Sequence, residues 1–355
     1  MAVKALARLA ARSSPETFLV AGRNAQRLAE DLSCDRRIRP AMTPRHASVL
    51  LIVGEVPGRD VGPLRQLHDQ MAHPRAPPEC RSEPDPAFQV ALRVPGEADP
   101  IDRVLTAHRD LFAGRLASEP DLLPDEPPAP WRGRGDHGQG GEGMMGGKPY
   151  GRPMPMTSDD LRDGLALDAY TLCAGPFLPG LPPGLLLEVE LQGDVVQSAQ
   201  VRHPPYEQSP VSRETLLLAC IARFVRLLGL GALATRLLTA ARAATSREPV
   251  DVRSLGRRLR WSRVLAAIPP DLGIVAGPGS DQQTDVRSRI AAWIAELESF
   301  DRSASAGTSA VPRCGLSELL TGCEWQEALL VLNSFAPEEL SRICRPEDDG
   351  RAESA

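Results

Sequence analysis

The sequence predicts an α/β domain at the N-terminus, followed by a β-hairpin and a mainly α-helical region. Three observations support this division. A continuous run of β-prone apolar residues at 47–53 is typical of a strand covered on both faces. A stretch rich in Pro and Gly begins after Ser118, and apolar residues recur at helical spacing beyond residue 213. The chain therefore changes structural class along its length.

The length and composition are compatible with two domains. The chain has 355 residues, of which 42% are hydrophobic, and single domains usually contain about 100–200 residues. Its 41 Lys+Arg and 46 Asp+Glu give a formal net charge of −5. Such a balance provides no general attraction to nucleic acid or to an anionic membrane. The 34 Pro and 30 Gly predict many loops.

The cysteines and the N-terminus indicate a reducing compartment. There is no CxxC pair and no cluster at zinc spacing. The first twelve residues predict a short amphipathic helix and lack the uninterrupted apolar core of a signal peptide. We therefore expect a cytoplasmic protein without structural disulfides. The seven cysteines are Cys34, Cys80, Cys173, Cys220, Cys314, Cys323 and Cys344.

The predicted N-terminal domain spans residues 1–118. The apolar strand at 47–53 ends at Gly54, and residues 62–71 place apolar side chains at helical intervals. A second strand-helix unit is predicted at 88–112, where residues 88–94 alternate and residues 101–112 have a helical pattern. Successive strand-helix units predict a layered α/β domain.

Residues 119–160 are predicted to be a linker, since the glycine-rich run at 133–147 sustains neither helix nor strand. The second region, 161–345, begins with a hairpin at 185–201 that turns at Gly193 and Asp194. Residues 346–355 are predicted to be a disordered tail.

Helices are predicted to dominate the rest of the second region. The apolar segment 214–242 contains three arginines and two glycines, which favours two packed helices over a membrane span. Further helices are predicted at 252–267 and 288–300, and two short ones within 316–343.

Part of the N-terminal region resembles the 20-kDa-type small subunit of complex I (NADH-quinone oxidoreductase) and of the nickel–iron hydrogenases. The likeness is carried by residues 43–48 (Thr-Pro-Arg-His-Ala-Ser), the strand ending in Gly-Glu-Val at 54–56, and the helix closing in His-Asp-Gln-Met at 68–71. The resemblance implies a flavodoxin-like fold for residues 1–118. A weaker likeness to the start of the 49-kDa-type large subunit covers 165–245, where the family's His-Arg-Gly motif is missing.

The family binds a [4Fe-4S] cluster through four Cys thiolates, because such clusters need several soft anionic ligands that converge. Only two matching candidates exist here, Cys34 upstream of the strand and Cys80 downstream of the helix. The resemblance therefore implies a degenerate site at most. We expect no cofactor bound by this chain alone, with a [4Fe-4S] cluster completed by partner ligands as the alternative.

Several other patterns have a chemical and a structural interpretation. His68 and Asp69 resemble a general base with its orienting carboxylate, whereas packing or capping is the alternative. The basic cluster at 257–261 is interpreted as a solvated helix face or a surface for an acidic partner. The glycine run with Asp136 and His137 matches no phosphate-loop motif. Four methionines resemble a copper-binding methionine tract, namely Met144, Met145, Met154 and Met156. Two serines, Ser209 and Ser212, lie outside any hydrolase motif.

The resemblance implies a mainly structural subunit of a complex I-like or hydrogenase-like oxidoreductase. Its partners would be other oxidoreductase subunits, including antiporter-like membrane subunits, at the inner face of the cell membrane. It would have no transmembrane segment of its own and no catalytic activity alone. The alternative is a stand-alone scaffold or regulatory protein. A third possibility, an enzyme with a nucleotide at the Gly54 loop, has no sequence fingerprint.

Overall fold

The computed structural model describes residues 9–80, 99–124, 156–159, 161, 164–246, 248, 250–276, 283–299 and 315–344. The chain divides into two compact units, which are described separately below. One comprises Met1–Asp125, Pro176–Pro179 and Tyr206–Val211. The other comprises Glu126–Gly175, Gly180–Pro205 and Ser212–Ala355.

The first unit contains a four-stranded parallel sheet in the order β2-β1-β3-β4. The strands are β1 (Glu16–Ala21), β2 (Arg39–Pro40), β3 (Val49–Val53) and β4 (Glu79–Cys80). All five residues of β3 are buried, and β3 lies between β1 and β4. The predicted buried strand is therefore confirmed, and with it the α/β class of the N-terminal region.

Helices cover both faces of this sheet. They are α1 (Gln26–Ser33), α2 (Val61–Asp69) and α3 (Pro100–Phe112). Leu50 and Ile52 pack with the apolar side chains of α2 in one cluster. The other residues of β3 pack with α1 and α3 in a second cluster. Because successive side chains of a strand point to opposite faces, this one apolar run contributes core side chains to both faces of the sheet.

The second unit contains a four-stranded antiparallel sheet in the order β5-β6-β7-β8. Its strands are β5 (Met156–Asp159), β6 (Ala166–Ala174), β7 (Leu186–Gln192) and β8 (Val195–His203). The predicted hairpin is confirmed as β7 and β8, and its turn residue Gly193 has a φ of +62°. The sequence had indicated one hairpin, whereas β5 and β6 extend it to four strands.

Eight helices and one short strand pair complete the described part of the second unit. The predicted helical character is confirmed, and segment 214–242 forms two helices that are separated near Gly229. Segment 316–343 forms three helices, where two were predicted. The elements are α4 (Arg213–Leu227), α5 (Gly231–Thr245), α6 (Val252–Arg260), α7 (Arg263–Ala266), β9 (Val275–Ala276), β10 (Gln283–Thr284), α8 (Val286–Glu298), α9 (Leu316–Leu320), α10 (Trp325–Asn333) and α11 (Pro337–Ile343). Within the described residues, every helix is too short or too polar to cross a membrane.

The predicted linker at 119–160 is described only at its two ends. Leu122 packs against the apolar cluster beneath α2, and Met156–Asp159 pairs with β6. The glycine run at 133–147 lies outside the described residues, as do the predicted strand at 88–94, the tail at 346–355 and residues 1–8.

Candidate functional site

The carboxyl ends of β1 and β3 form the candidate site of the first unit. β1 leads through α1 to β2 on one side, and β3 leads through α2 to β4 on the other side. The two helices pack on opposite faces of the sheet. This divergence creates a topological switch point, and open parallel sheets bind ligands in the crevice outside it.

The loop that follows β1 and the loop that follows β3 contact each other directly. The Gly22 amide donates to the Val53 carbonyl at 2.7 Å, and the Arg23 amide donates to the Glu55 carbonyl at 2.8 Å. Gly54 has a φ of +83°, and a Cβ there would lie 2.4 Å from the Cβ of Ala25. The close approach of the loops therefore requires glycine at position 54.

A segment from much later in the chain, Tyr206–Val211, lies over these loops and belongs to the same unit. The Asn24 amide donates to the Glu207 carbonyl at 3.0 Å, and the Gln26 amide donates to the Oε1 of Gln208 at 2.9 Å. Gln26 is the first residue of α1, and a helix N-terminus is where an anionic ligand group binds at such a crevice. In this chain a side-chain amide oxygen takes that position.

A buried pair of polar side chains anchors the same segment. The Tyr206 hydroxyl donates to the Oδ2 of Asp60 at 2.7 Å, and Arg59 lies 3.3 Å from the same oxygen. Burial, together with the hydrogen bond to Asp60, raises the pKa of Tyr206 above its ordinary value. The tyrosine therefore remains a protonated hydrogen-bond donor, and this pair holds the covering segment in place.

The predicted pair His68 and Asp69 forms part of a buried polar network. His68 is fully buried, and its Nδ1 lies 2.9 Å from the Oδ1 of Asp69. The Asp69 carboxylate also accepts from the Leu122 amide at 3.0 Å and the Leu123 amide at 2.9 Å. Burial alone would raise the pKa of Asp69, but these amide hydrogen bonds and the one from His68 hold it below the ordinary value.

Arg75 completes this network, and its side chain is also fully buried. It donates to the carbonyls of His68 at 3.1 Å, Met71 at 3.2 Å and Glu119 at 3.2 Å, and it pairs with Asp121. Burial lowers the pKa of His68, so the imidazole is neutral at pH 7. The network fastens residues 119–123 to the end of α2, which favours the packing interpretation of His68 over a catalytic one.

The two predicted cluster ligands belong to different elements of the first unit. Cys34 follows α1, which leads to β2 at one edge. Cys80 lies in β4 at the other edge, where its backbone pairs with Ile52. Because β2 runs parallel to β1, the chain returns through α1 to the amino end of the sheet before β2 begins, and Cys34 lies at the end of this helix. Cys80, by contrast, is level with the carboxyl-terminal part of β3. The structure therefore does not bring the two cysteines together.

The remaining five cysteines lie outside the first unit. Cys173, Cys220, Cys323 and Cys344 belong to the second unit, and Cys314 lies outside the described residues. Burial raises the pKa of Cys323 to about 11 and that of Cys344 to about 12, so both are protonated thiols. The described residues contain no group of three or more His, Cys, Asp or Glu side chains arranged to hold a metal ion.

The other sequence candidates have mixed outcomes. Ser212 caps α4, since its hydroxyl accepts from the Thr215 amide at 3.2 Å. The basic residues at 257–258 and 260 are exposed on α6. Asp136, His137 and the methionine tract at 144–154 lie outside the described residues, as does the side chain of Met156.

Sequence reasoning missed Asp60, Tyr206 and Gln208. Asp60 precedes α2, Tyr206 and Gln208 lie outside the helices and strands, and the proximity of Tyr206 to Asp60 depends on a contact across 146 residues. The Pro-Pro-Tyr sequence at 204–206 signals a turn but carries no indication of its partner.

Comparison with known proteins identified no relative: no family model matches the chain, and neither a curated protein nor a solved structure is significantly similar to it.

Proposed function

We propose that this chain is a structural subunit of a complex I-like or hydrogenase-like oxidoreductase assembly and does not carry a complete cluster site itself. The observation that supports a structural role is the covered switch point. Tyr206–Val211 takes the position of a ligand, with Gln208 at the N-terminus of α1 and Tyr206 anchored to Asp60. A parallel-sheet domain whose crevice is filled by its own chain has little room there for substrate.

The strand order supports the finer fold assignment in this proposal. An order of β2-β1-β3-β4 with diverging crossovers is the beginning of the flavodoxin-like arrangement. The sequence resemblance at 43–56 falls on the central strand of this sheet and its flanking loops. Together these features favour a degenerate small-subunit-like domain.

The cysteine arrangement supports the absence of electron transfer by this chain alone. Cys34 lies at the end of α1 and Cys80 lies in the edge strand β4, and a cubane cluster requires thiolates that converge on one cavity. Iron and sulfide analysis of anaerobically purified protein tests this part. We expect no stoichiometric iron in the wild-type protein. Stoichiometric iron in the wild type that is absent from both the Cys34→Ser and the Cys80→Ser variants would contradict the proposal.

Co-purification tests the assembly. A tagged chain expressed in its native cell is expected to bring down oxidoreductase subunits, including antiporter-like membrane subunits, in fixed proportion. Isolation of the tagged chain alone, in native detergent extracts where other membrane complexes remain intact, would refute the assembly.

The second candidate is a stand-alone scaffold or regulatory protein, which the same covered crevice favours. In that case the tagged chain would associate with proteins that contain no redox subunits. A nucleotide-binding enzyme ranks below both, because the Gly54 loop is closed by backbone hydrogen bonds to Gly22 and Arg23.

A further inference from the structure

The helices α6 and α7 form a basic surface in a chain that is acidic as a whole. Residues 252–270 contain no Asp or Glu, while the complete chain has a net charge of −5. Among the residues that the structure describes, one of the five arginines in this segment forms an ion pair, namely Arg260 with Glu298 at 3.0 Å. The five are Arg253, Arg257, Arg258, Arg260 and Arg263. Unneutralised arginines at this density favour an anionic partner.

An apolar groove lies beside Arg260, one of these five arginines. It runs between α6, α7 and α8 and has a volume of about 250 Å³. Arg260 and Arg287 lie at its rim together with Glu298, and Glu298 is the carboxylate that pairs with Arg260. Ala291 and Ala295 of α8 also line the groove. The larger apolar side chains along it are Leu259, Leu265, Ile268, Ile290 and Ile294.

Trp261 marks the end of α6 next to the groove. Its side chain is 79% exposed, and the Arg260 guanidinium lies 5.8 Å from the ring centroid. Large exposed aromatic side chains and arginines are the residues that contribute most energy at protein interfaces. An isolated solvated helix face does not need an exposed indole.

We propose that this groove binds an amphipathic helix of a partner protein, with apolar side chains in the groove and acidic side chains against the arginine rim. The arginines on the rim favour acidic side chains on the partner. The apolar side chains along the groove favour a helix that has apolar residues on one face. The inference rests on the structural role proposed above, because it describes how such a subunit would bind a neighbour.

The concave shape distinguishes a helix from an anionic membrane as the partner. A bilayer accepts apolar side chains that project outward, as Trp261 does, whereas the larger apolar side chains Leu259, Leu265, Ile268, Ile290 and Ile294 line a groove. A helix of the partner can enter the groove, and a flat lipid surface cannot reach its floor.

A binding assay with the full-length protein tests the proposal. The probe is a labelled helical peptide of about eighteen residues with Leu at helical spacing and Glu elsewhere. The comparison peptide keeps every Leu and replaces each Glu with Lys. We expect the acidic peptide to bind, with an affinity that decreases as salt increases, and the basic peptide not to bind.

Matched variants locate the binding site. Ala295→Trp fills the groove from an exposed position of α8, and Ala292→Trp makes the same change at an exposed position outside the groove. Arg287→Glu reverses a rim charge, and Arg236→Glu reverses an exposed charge on α5. The two groove variants should weaken binding of the acidic peptide by about tenfold or more, and the two controls should not.

Three outcomes would overturn the inference: no binding of the acidic peptide, equal binding of both peptides, or unchanged binding by Ala295→Trp and Arg287→Glu. Binding instead to vesicles of phosphatidylcholine and phosphatidylglycerol, lost in Arg287→Glu, would assign the surface to a membrane. Co-purification separates the two proposals. If both groove variants retain the oxidoreductase subunits, this groove is not their docking site, whereas a wild-type chain without partners refutes the assembly itself.

Discussion

The Tyr206 hydroxyl donates a hydrogen bond to the Oδ2 of Asp60, a residue 146 positions earlier in the chain. Both side chains are almost completely buried. The bond fixes the segment that covers the carboxyl ends of β1 and β3, and through it the position of Gln208 at the first helix.

Replacing Tyr206 with Phe should release this segment. The change removes one hydrogen bond to a buried carboxylate and is expected to lower the free energy of unfolding by about 2 kcal/mol. Hydrogen exchange of the Asn24 and Gln26 amides should accelerate, because their acceptors lie on the released segment. Tyr170→Phe, at a tyrosine that is 53% exposed, is the control. A double-mutant cycle with Asp60→Ala that gives no coupling would contradict the bond's role.

The buried guanidinium of Arg75 should be essential for the stability of the first unit. Arg75→Met removes the guanidinium that pairs with Asp69 and Asp121 and donates to the carbonyls of His68, Met71 and Glu119. We expect a loss of about 3 kcal/mol, measured by urea denaturation, since removal of one partner from a buried network is costly. Arg45→Met changes an exposed arginine and serves as the control. Equal urea midpoints for the two variants would show that the network contributes nothing.

The stability of the first unit should decrease when the pH falls below neutrality. Burial lowers the pKa of His68 from its ordinary value of 6.5, so the unfolded chain binds a proton there more readily than the folded chain. The free energy of unfolding therefore falls as the pH drops below 6.5. His68→Asn should reduce this slope between about pH 7 and 5, as measured by urea midpoints.

Two other groups contribute to the same pH range, so the wild-type and variant slopes must be compared directly. Burial also lowers the pKa of His108, which acts in the same direction. Burial raises the pKa of Glu79, which acts in the opposite direction. His46→Asn, at an exposed histidine, controls for the loss of one imidazole. An identical slope in wild type and His68→Asn would exclude His68 as the source.

Gly54→Ala should destabilise the crevice loops. The substituted residue would have to adopt a φ of +83° with its Cβ 2.7 Å from the Arg23 carbonyl oxygen. We expect a loss of about 2 kcal/mol or more in the free energy of unfolding. Gly58→Ala is the matched control, because a Cβ there meets no atom within 4 Å. A thermal midpoint of Gly54→Ala equal to that of Gly58→Ala would refute the steric argument.

Local pattern was sufficient for the elements with strong periodicity. The run at 47–53, of which residues 49–53 form the strand, could be assigned because a continuous apolar segment needs cover on both faces. The pair around Gly193 could be assigned because two alternating segments flank a turn residue that tolerates positive φ. The strand β6 was missed, since its side chains at Tyr170 and Leu172 remain partly exposed and its alternation is weak.

The candidate site was less accessible to sequence reasoning. His68 and Asp69 were identified as a pair because they are adjacent, but their partner Arg75 and the amides of Leu122 and Leu123 were not. Cys34 and Cys80 were selected by a linear order of ligands. Linear order does not specify the edge of the sheet at which each residue lies.

The sequence by itself determined the α/β class of the first unit, the hairpin and the helices of the second, because these depend on the spacing of apolar residues along a few turns of chain. Only the tertiary structure decided that Tyr206 covers the crevice, that the two cysteines lie apart and that Arg75 is buried. These relationships join residues distant in sequence, and they are set by how whole elements pack, which no local spacing encodes.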